Sequence, residues 1–311
     1  MGSTSGPLAA NGEPLCVLTI HAHPDDESSK GAGTIARYRD EGIRTVLVCC
    51  TGGELGDIAN PAMDRPGIKD NLAGIRRDEL AAATKIIGFD HVIMLGYRDS
   101  GMAGDVGNED PAAFHQAEID ECAHRLVKII RELRPHVVIT YGDNQQGYPH
   151  PDHLKVHAVS GPAFDRAGDR DWYHDAGPVW QPQKLYYSMW ARERTVQMHT
   201  KFLELGLKSP YDERWLDRPW EDHRITTRVP VAEYYDVRVN ALLAHATQID
   251  PTSPWWFGLP DEVAKEVHPY DDYVLARSRL SNHPGEDLRT AVEAGAAAPI
   301  FEDDLFAGLR G

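Results

Sequence analysis

Short apolar runs alternate with longer segments in which apolar residues return every three or four positions, and this alternation fills the first half of the chain. The runs at residues 15–20, 44–50, 91–95 and 136–141 are rich in Val, Ile, Leu, Thr and Cys without strict polar alternation, as in strands buried on both faces. Between them, residues 30–41, 71–87, 112–133 and 152–164 carry the helical period. This βαβα rhythm predicts an α/β fold with a mostly parallel sheet and helices on both faces. Two connections, 51–70 and 96–111, are rich in Gly, Pro, Asn and Asp and longer than ordinary βα loops, which marks them as candidate binding loops.

Beyond residue 161 the texture changes. All seven tryptophans (Trp172, Trp180, Trp190, Trp215, Trp220, Trp255 and Trp256) lie there. Residues 184–190 read as one more strand, 191–205 and 232–248 as helices, and the remainder is irregular and punctuated by proline. The expected division is a disordered tail over 1–14, a core over 15–160 and an α+β cap region over 161–311. The tail has no basic or apolar stretch and does not read as a signal peptide.

Charge narrows the partners. The 311 residues include 32 Lys and Arg against 48 Asp and Glu, a formal net charge of −16. An acidic chain without a basic block is repelled by phosphate backbones and anionic headgroups, so neither nucleic acid nor a membrane surface is an expected partner. No apolar run approaches the ~18 residues of a membrane span. Four cysteines without C-x-x-C spacing fit free thiols in a reducing cytoplasm.

The chemistry is concentrated in two polar segments at strand ends. His21-Ala22-His23-Pro24-Asp25-Asp26-Glu27 follows the first strand, at the edge where parallel sheets bind ligands. His23 and Asp26, three apart on a tight turn, can face one divalent cation. His150-Pro151-Asp152-His153 follows the strand ending at Tyr141. If the two strands are neighbours, His153 completes a His-Asp-His set with one position open for water, the pattern of a catalytic zinc site. Iron(II) suits the same donors. Asp25 is then placed to take a proton from water, His150 to donate to an oxyanion or leaving group, Asp152 to orient the His150 imidazole, and Tyr148 to polarise a carbonyl. Such an assembly hydrolyses an amide. His21, Glu27 and His157 read more simply as a strand-end residue, a helix-start charge and a helix residue, and His245 reads equally as core or as a wall of the site.

The two segments resemble the HPDDE and HPDH boxes of the LmbE-like (PIG-L) zinc-dependent N-deacetylases and amidases. The resemblance implies a Rossmann-like fold, zinc on His23, Asp26 and His153, Asp25 as general base and His150 as the acid or oxyanion group. From about residue 17 to 280 the chain is most similar to the amidase branch, through Lys30, Thr51-Gly52-Gly53-Glu54, Asn60-Pro61-Ala62-Met63-Asp64, Ala244-His245-Ala246-Thr247-Gln248 and Trp255-Trp256-Phe257. It departs from that branch at residues 142–146, which are longer and more polar. The resemblance implies substrate contacts at Lys30 and Glu54, and at Arg76 and Asp99, which match residues that hold inositol in the related deacetylase. The implied partner is a small thiol–sugar conjugate, a mycothiol S-conjugate cleaved at its glucosamine–cysteine amide. The alternatives are deacetylation of N-acetylglucosaminyl-inositol, and a catalytically idle metal- or sugar-binding protein.

Overall fold

A computed structural model describes residues 6–143, 145, 148–219, 221–280 and 302–311. Residues 1–5 of the expected tail, Trp220, and residues 144 and 146 of the departing loop lie outside them. In chain order the elements are β1 (Cys16–His21), α1 (Asp26–Ser29), α2 (Ala32–Asp40), β2 (Arg44–Thr51), α3 (Leu72–Ile87), β3 (His91–Tyr97), α4 (Ile119–Leu133), β4 (Val137–Tyr141), α5 (Pro151–Ala167), β5 (Lys184–Met189), α6 (Arg192–Glu204), α7 (Glu213–Leu216), β6 (Thr227–Pro230), α8 (Tyr235–Ala244), α9 (Pro254–Phe257), α10 (Asp261–Val267) and β7 (Tyr270–Ser278).

The strands form one sheet in the order β3-β2-β1-β4-β5-β7-β6. The first five run parallel; β7 is antiparallel to β5, and β6 to β7. The fold is therefore α/β with a mostly parallel sheet, as the rhythm predicts. From β1 the chain winds outward to β2 and β3, then crosses back to β4 on the other side of β1, with Val17 opposite Val137 and Thr19 opposite Ile139. The loops after β1 and β4 part at this reversal and leave a crevice at the carboxyl ends of the strands. Both polar segments sit there.

Alternate residues of β1 feed two cores. Cys16, Leu18 and Ile20 pack with Leu126, Val127 and Ile130 of α4 and Val156, Val159 and Phe164 of α5. Leu15 and Val17 pack on the other face with Ile35 and Tyr38 of α2, Ile87 of α3, and Leu305 and Phe306 near the C-terminus. Each such aliphatic side chain contributes about 1.5–3 kcal/mol by leaving water, so the strand ends stand on a rigid base.

The differences from expectation have local causes. β3 is the edge strand among the described residues and only part-buried, with Val92 41% exposed. The helix expected over 30–41 is α2, which starts at Ala32; a short α1 precedes it, and Gly31, whose φ of +91° suits glycine, turns the chain between the two. The helix expected over 112–133 begins only at Ile119, after a 3-10 turn at Phe114–Gln116. β6 and β7 arise from segments without strand periodicity. Residue 160 does not separate two layers, since β5, β7 and β6 extend the sheet begun by β1 to β4. The described part of the expected tail is tied down: Leu8 bridges to Pro14 and Ala9 to Arg310. All four cysteines are buried free thiols, and among the described residues no helix is long and apolar enough to cross a membrane.

Candidate metal centre and active site

The first segment leaves β1 through Ala22, whose N–H donates to the Tyr141 hydroxyl (3.1 Å), tying it to the end of β4. The turn places Asp25 at φ +109°, a left-handed conformation that costs a non-glycine residue about 1–3 kcal/mol and must be held by its surroundings. Glu27 and Arg76 hold it. The Asp25 N–H donates to Glu27 Oε2 (2.9 Å), and Glu27 Oε1 meets His245 Nε2 (2.7 Å). Arg76 donates from Nη2 to Asp25 Oδ2 (3.1 Å) and to the Pro24 carbonyl, and from Nη1 to the Gly53 carbonyl (2.6 Å).

Three ligand atoms converge beyond this turn. Asp26 Oδ2 lies 3.4 Å from His23 Nδ1, and Asp26 Oδ1 lies 3.5 Å from His153 Nε2. All three residues are buried, and one ligand atom of each falls within 4.8 Å of the others. His153 is seated by the second segment: His150 caps α5, Pro151 opens it, and the His153 ring stacks on Tyr141 at 4.3 Å and 8°. The donors suit a divalent metal in three respects. They are mixed nitrogen and oxygen. His23 turns its other nitrogen, Nε2, to the Asp152 carboxylate (3.1 Å), an arrangement common around metal-binding histidines. The carboxylates of Asp26, Asp99 and Asp152 crowd round His23 and call for a positive charge.

Titration expresses the same surplus. Burial pulls the His23 pKa down, but Asp152, Asp26 and Asp99 outweigh it and hold it well above the usual histidine value. Asp26 resists burial through Lys30 and His153 and stays well below the usual carboxylate range. Burial raises the Asp25 carboxyl against the lowering pull of Arg76. His150 is driven down to about 4, by burial first and then by the charges of His23 and His153.

The remaining candidates divide between the cavity and its supports. The Asp152 carboxylate does not orient His150; it faces His23 and accepts from Ser100 Oγ and N–H. His150 instead accepts the Asp152 backbone N–H on Nδ1 (3.1 Å), which puts the proton of the neutral ring on Nε2. Tyr148 is 55% exposed and stands over both histidines, 6.0 Å from the His150 ring and 5.5 Å from His153. Lys30 donates to Asp26 Oδ1 (2.7 Å) and lies 5.9 Å from the Trp190 ring. Arg76 and Asp99, expected at the substrate, are only 3% and 2% exposed. Arg76 is committed to Asp25 and two carbonyls, and Asp99 to the backbone N–H groups of Leu55 and Gly101. Both act as supports of the site. Glu54 lies between: it accepts from the Asp99 N–H (3.1 Å) yet lines a cavity of about 660 Å³ with Pro24, Arg77 and Tyr97. His21 bonds Thr19 and His157 the Tyr141 carbonyl, as their plain readings imply.

Sequence reasoning missed Ser100, Tyr141 and the role of Glu27 with His245. A second cleft opens beside Ser29 and Trp190 and is walled by Trp255 and Trp256.

Known proteins share this framework. The family model described as PIG-L: GlcNAc-PI de-N-acetylase matches residues 18–164. A mycothiol S-conjugate amidase of Streptomyces coelicolor is 40% identical over 307 residues, covering 96% of this chain and 98% of that protein. A 1D-myo-inositol 2-acetamido-2-deoxy-alpha-D-glucopyranoside deacetylase of Thermobispora bispora is 39% identical over 311 residues, covering 94% and 98%. Among solved structures, the N,N'-diacetylchitobiose deacetylase of Pyrococcus horikoshii superposes with a TM-score of 0.58 at 17% identity, over 84% of this chain and 83% of its own, a likeness of fold.

Proposed function

The chain belongs to the PIG-L (GlcNAc-PI de-N-acetylase) family, and we propose that it cleaves the glucosamine–cysteine amide of mycothiol S-conjugates, releasing glucosaminyl-inositol and an N-acetylcysteine S-conjugate. The chain is a hydrolase of amide bonds. The observation that carries the finer reading is a pair of cavities whose walls include Pro24 and Ser29, on the same segment as His23 and Asp26. One offers the charged groups of Glu54 and Arg77 beside Met94 and Tyr97 and suits the sugar arm; the other, beside Lys30 and Trp190, is walled by aromatic and charged side chains and suits an acyl arm larger than acetyl.

His23, Asp26 and His153 hold a divalent cation in this reading, with zinc the proposed occupant and iron(II) suited to the same donors. When bound, the cation supplies Lewis-acid polarisation and acidifies water. Asp25 takes the proton of the attacking water, its carboxyl pKa raised by burial and its position braced by Arg76. His150 offers Nε2–H to the developing oxyanion, and Tyr148 covers the same opening. Asp152 holds the His23 ring, and Lys30 the Asp26 carboxylate. Four buried thiols accord with a cytoplasmic site of action.

Deacetylation of N-acetylglucosaminyl-inositol is the second reading, favoured by deacetylase relatives at 35–39% identity. The test is release of amine from both compounds by one enzyme preparation. Preferential cleavage of a bulky mycothiol conjugate is expected; strong preference for the acetylated sugar overturns the amidase reading.

A further inference from the structure

The aromatic cleft holds two arginines that the hydrolytic chemistry does not use. Arg194 on α6 and Arg238 on α8 both line it. Among the described residues neither has a carboxylate at ion-pair distance or a hydrogen-bond acceptor. Their neighbours are ring faces: Arg194 lies 5.7 Å from the Trp190 ring centre and Arg238 lies 5.8 Å from that of Trp256. Elsewhere in the chain, arginines at comparable depth, such as Arg37, Arg166 and Arg228, meet a carboxylate.

Acids share the cleft but are engaged. Asp271 Oδ2 accepts from the Thr34 N–H (3.1 Å) and hydroxyl (2.8 Å), and Asp272 is divided between Arg228 (3.0 Å) and His268 (2.7 Å). Burial first, and then the charge of Arg194, bring the Arg238 pKa down to about 10 against the opposing pull of Asp271. Two guanidinium groups without a direct acceptor, offset only at longer range by Asp271, leave the cleft able to gain from an anion that arrives with the ligand. The cavity adjoins the metal centre through Trp190, whose ring lies 5.9 Å from the Lys30 ammonium bound to Asp26.

We propose that this cleft selects S-substituents combining a flat apolar body with a carboxylate: Arg194 and Arg238 receive the carboxylate, and Trp190, Trp255 and Trp256 cover the body. The inference rests on the amidase reading, in which alone the acyl arm extends beyond acetyl.

The holoenzyme is assayed on mycothiol conjugates of the 4-carboxybenzyl group and of the neutral, similarly shaped 4-carbamoylbenzyl group. The acid is expected to be preferred about tenfold or more in kcat/KM, chiefly through KM, as charge-assisted bonds imply. Arg194→Gln and Arg238→Gln erase the preference by slowing only the acid, and Arg238→Lys retains part of it. Equal kcat/KM for the two substrates in the parent enzyme overturns the proposal, as do equal losses on both in Arg194→Gln with an unchanged thermal unfolding midpoint. The 4-carboxybenzyl and 4-carbamoylbenzyl thioethers of N-acetylcysteine methylamide, titrated against tryptophan fluorescence, make the same comparison without turnover. If no mycothiol conjugate is cleaved while the acid still binds more tightly, the amidase reading falls and the acid-selective cleft stands. If conjugates are cleaved without charge preference, the cleft proposal alone falls.

Discussion

His23 Nε2 stands 3.1 Å from the Asp152 carboxylate while His23 Nδ1 stands 3.4 Å from Asp26, so one imidazole joins the segment after β1 to the segment after β4. Its nitrogens have separate tasks. A carboxylate on Nε2 holds the proton there and leaves the Nδ1 lone pair for a cation. Asp152 is itself fixed by the Ser100 hydroxyl and N–H. Asp152→Asn is therefore expected to weaken metal binding about 10–100-fold, measured by competition with a chromophoric chelator. Unchanged affinity would remove Asp152 from the support of the metal site.

The candidate trio of His23, Asp26 and His153 was legible because its members lie in two polar segments that follow strands and the spacing within each segment is local. The partner of Asp152 was not. Its sequence neighbour His150 looked like the natural target, but the N-cap geometry of α5 gives His150 the Asp152 backbone and turns the carboxylate across the crevice to His23. Arg76 and Asp99, expected to touch the substrate, are buried in bonds to the surrounding loops, a placement that no spacing reveals. In the sheet, the parallel strands announced themselves by apolar runs. β7, beginning Tyr270-Asp271-Asp272, did not, because its polar residues are satisfied by Thr34, Arg228 and His268 from distant parts of the chain.

Asp25→Asn tests the general base. Asparagine tolerates the left-handed backbone that Asp25 adopts, so the turn and the neighbouring ligands should persist. The expected outcome is a fall in kcat of about 10²–10⁴ with metal content unchanged by elemental analysis. A loss below about tenfold would assign the proton to another group.

Arg76→Met probes how the base is tuned. Burial raises the Asp25 pKa and Arg76 opposes that rise. Asp25 must be deprotonated to accept a proton, so activity falls as pH drops through its pKa. Without Arg76 that pKa climbs further, and the acidic limb of the kcat/KM profile should move to higher pH. Gly53→Ala should act similarly, since a Cβ there would come within 2.3 Å of Arg76 Nη1. An unmoved limb in Arg76→Met would show that the pair does not set the base.

Stability of the C-terminal closure depends on a buried ion pair. Lys184 Nζ on β5 bonds Glu302 Oε1, and Glu302 Oε2 accepts from Tyr186 (2.6 Å) and Thr227 (3.1 Å). Glu302→Ala strands the lysine and should cost about 3–5 kcal/mol in urea denaturation. Lys184→Met with Glu302→Gln leaves no lone charge and should lose less than the single substitution. The reverse ranking would mean that the closure rests on packing of Leu305 and Phe306 instead.

The role of His150 has its own pH signature. Burial and the charges of His23 and His153 lower its pKa to about 4, so the ring is neutral from pH 6 to 8, with Nδ1 already accepting the Asp152 N–H. A neutral Nε2–H donor stabilises an oxyanion without titrating in that range. The kcat/KM profile should then lack a descending limb near pH 6–7, and His150→Ala should lower kcat by about 10²–10³ evenly across the range. A general acid behaves otherwise: its activity falls as pH rises through its pKa, and the substitution abolishes that fall. A basic limb between pH 6 and 7 that disappears in His150→Ala would therefore replace the neutral donor with a protonated imidazole.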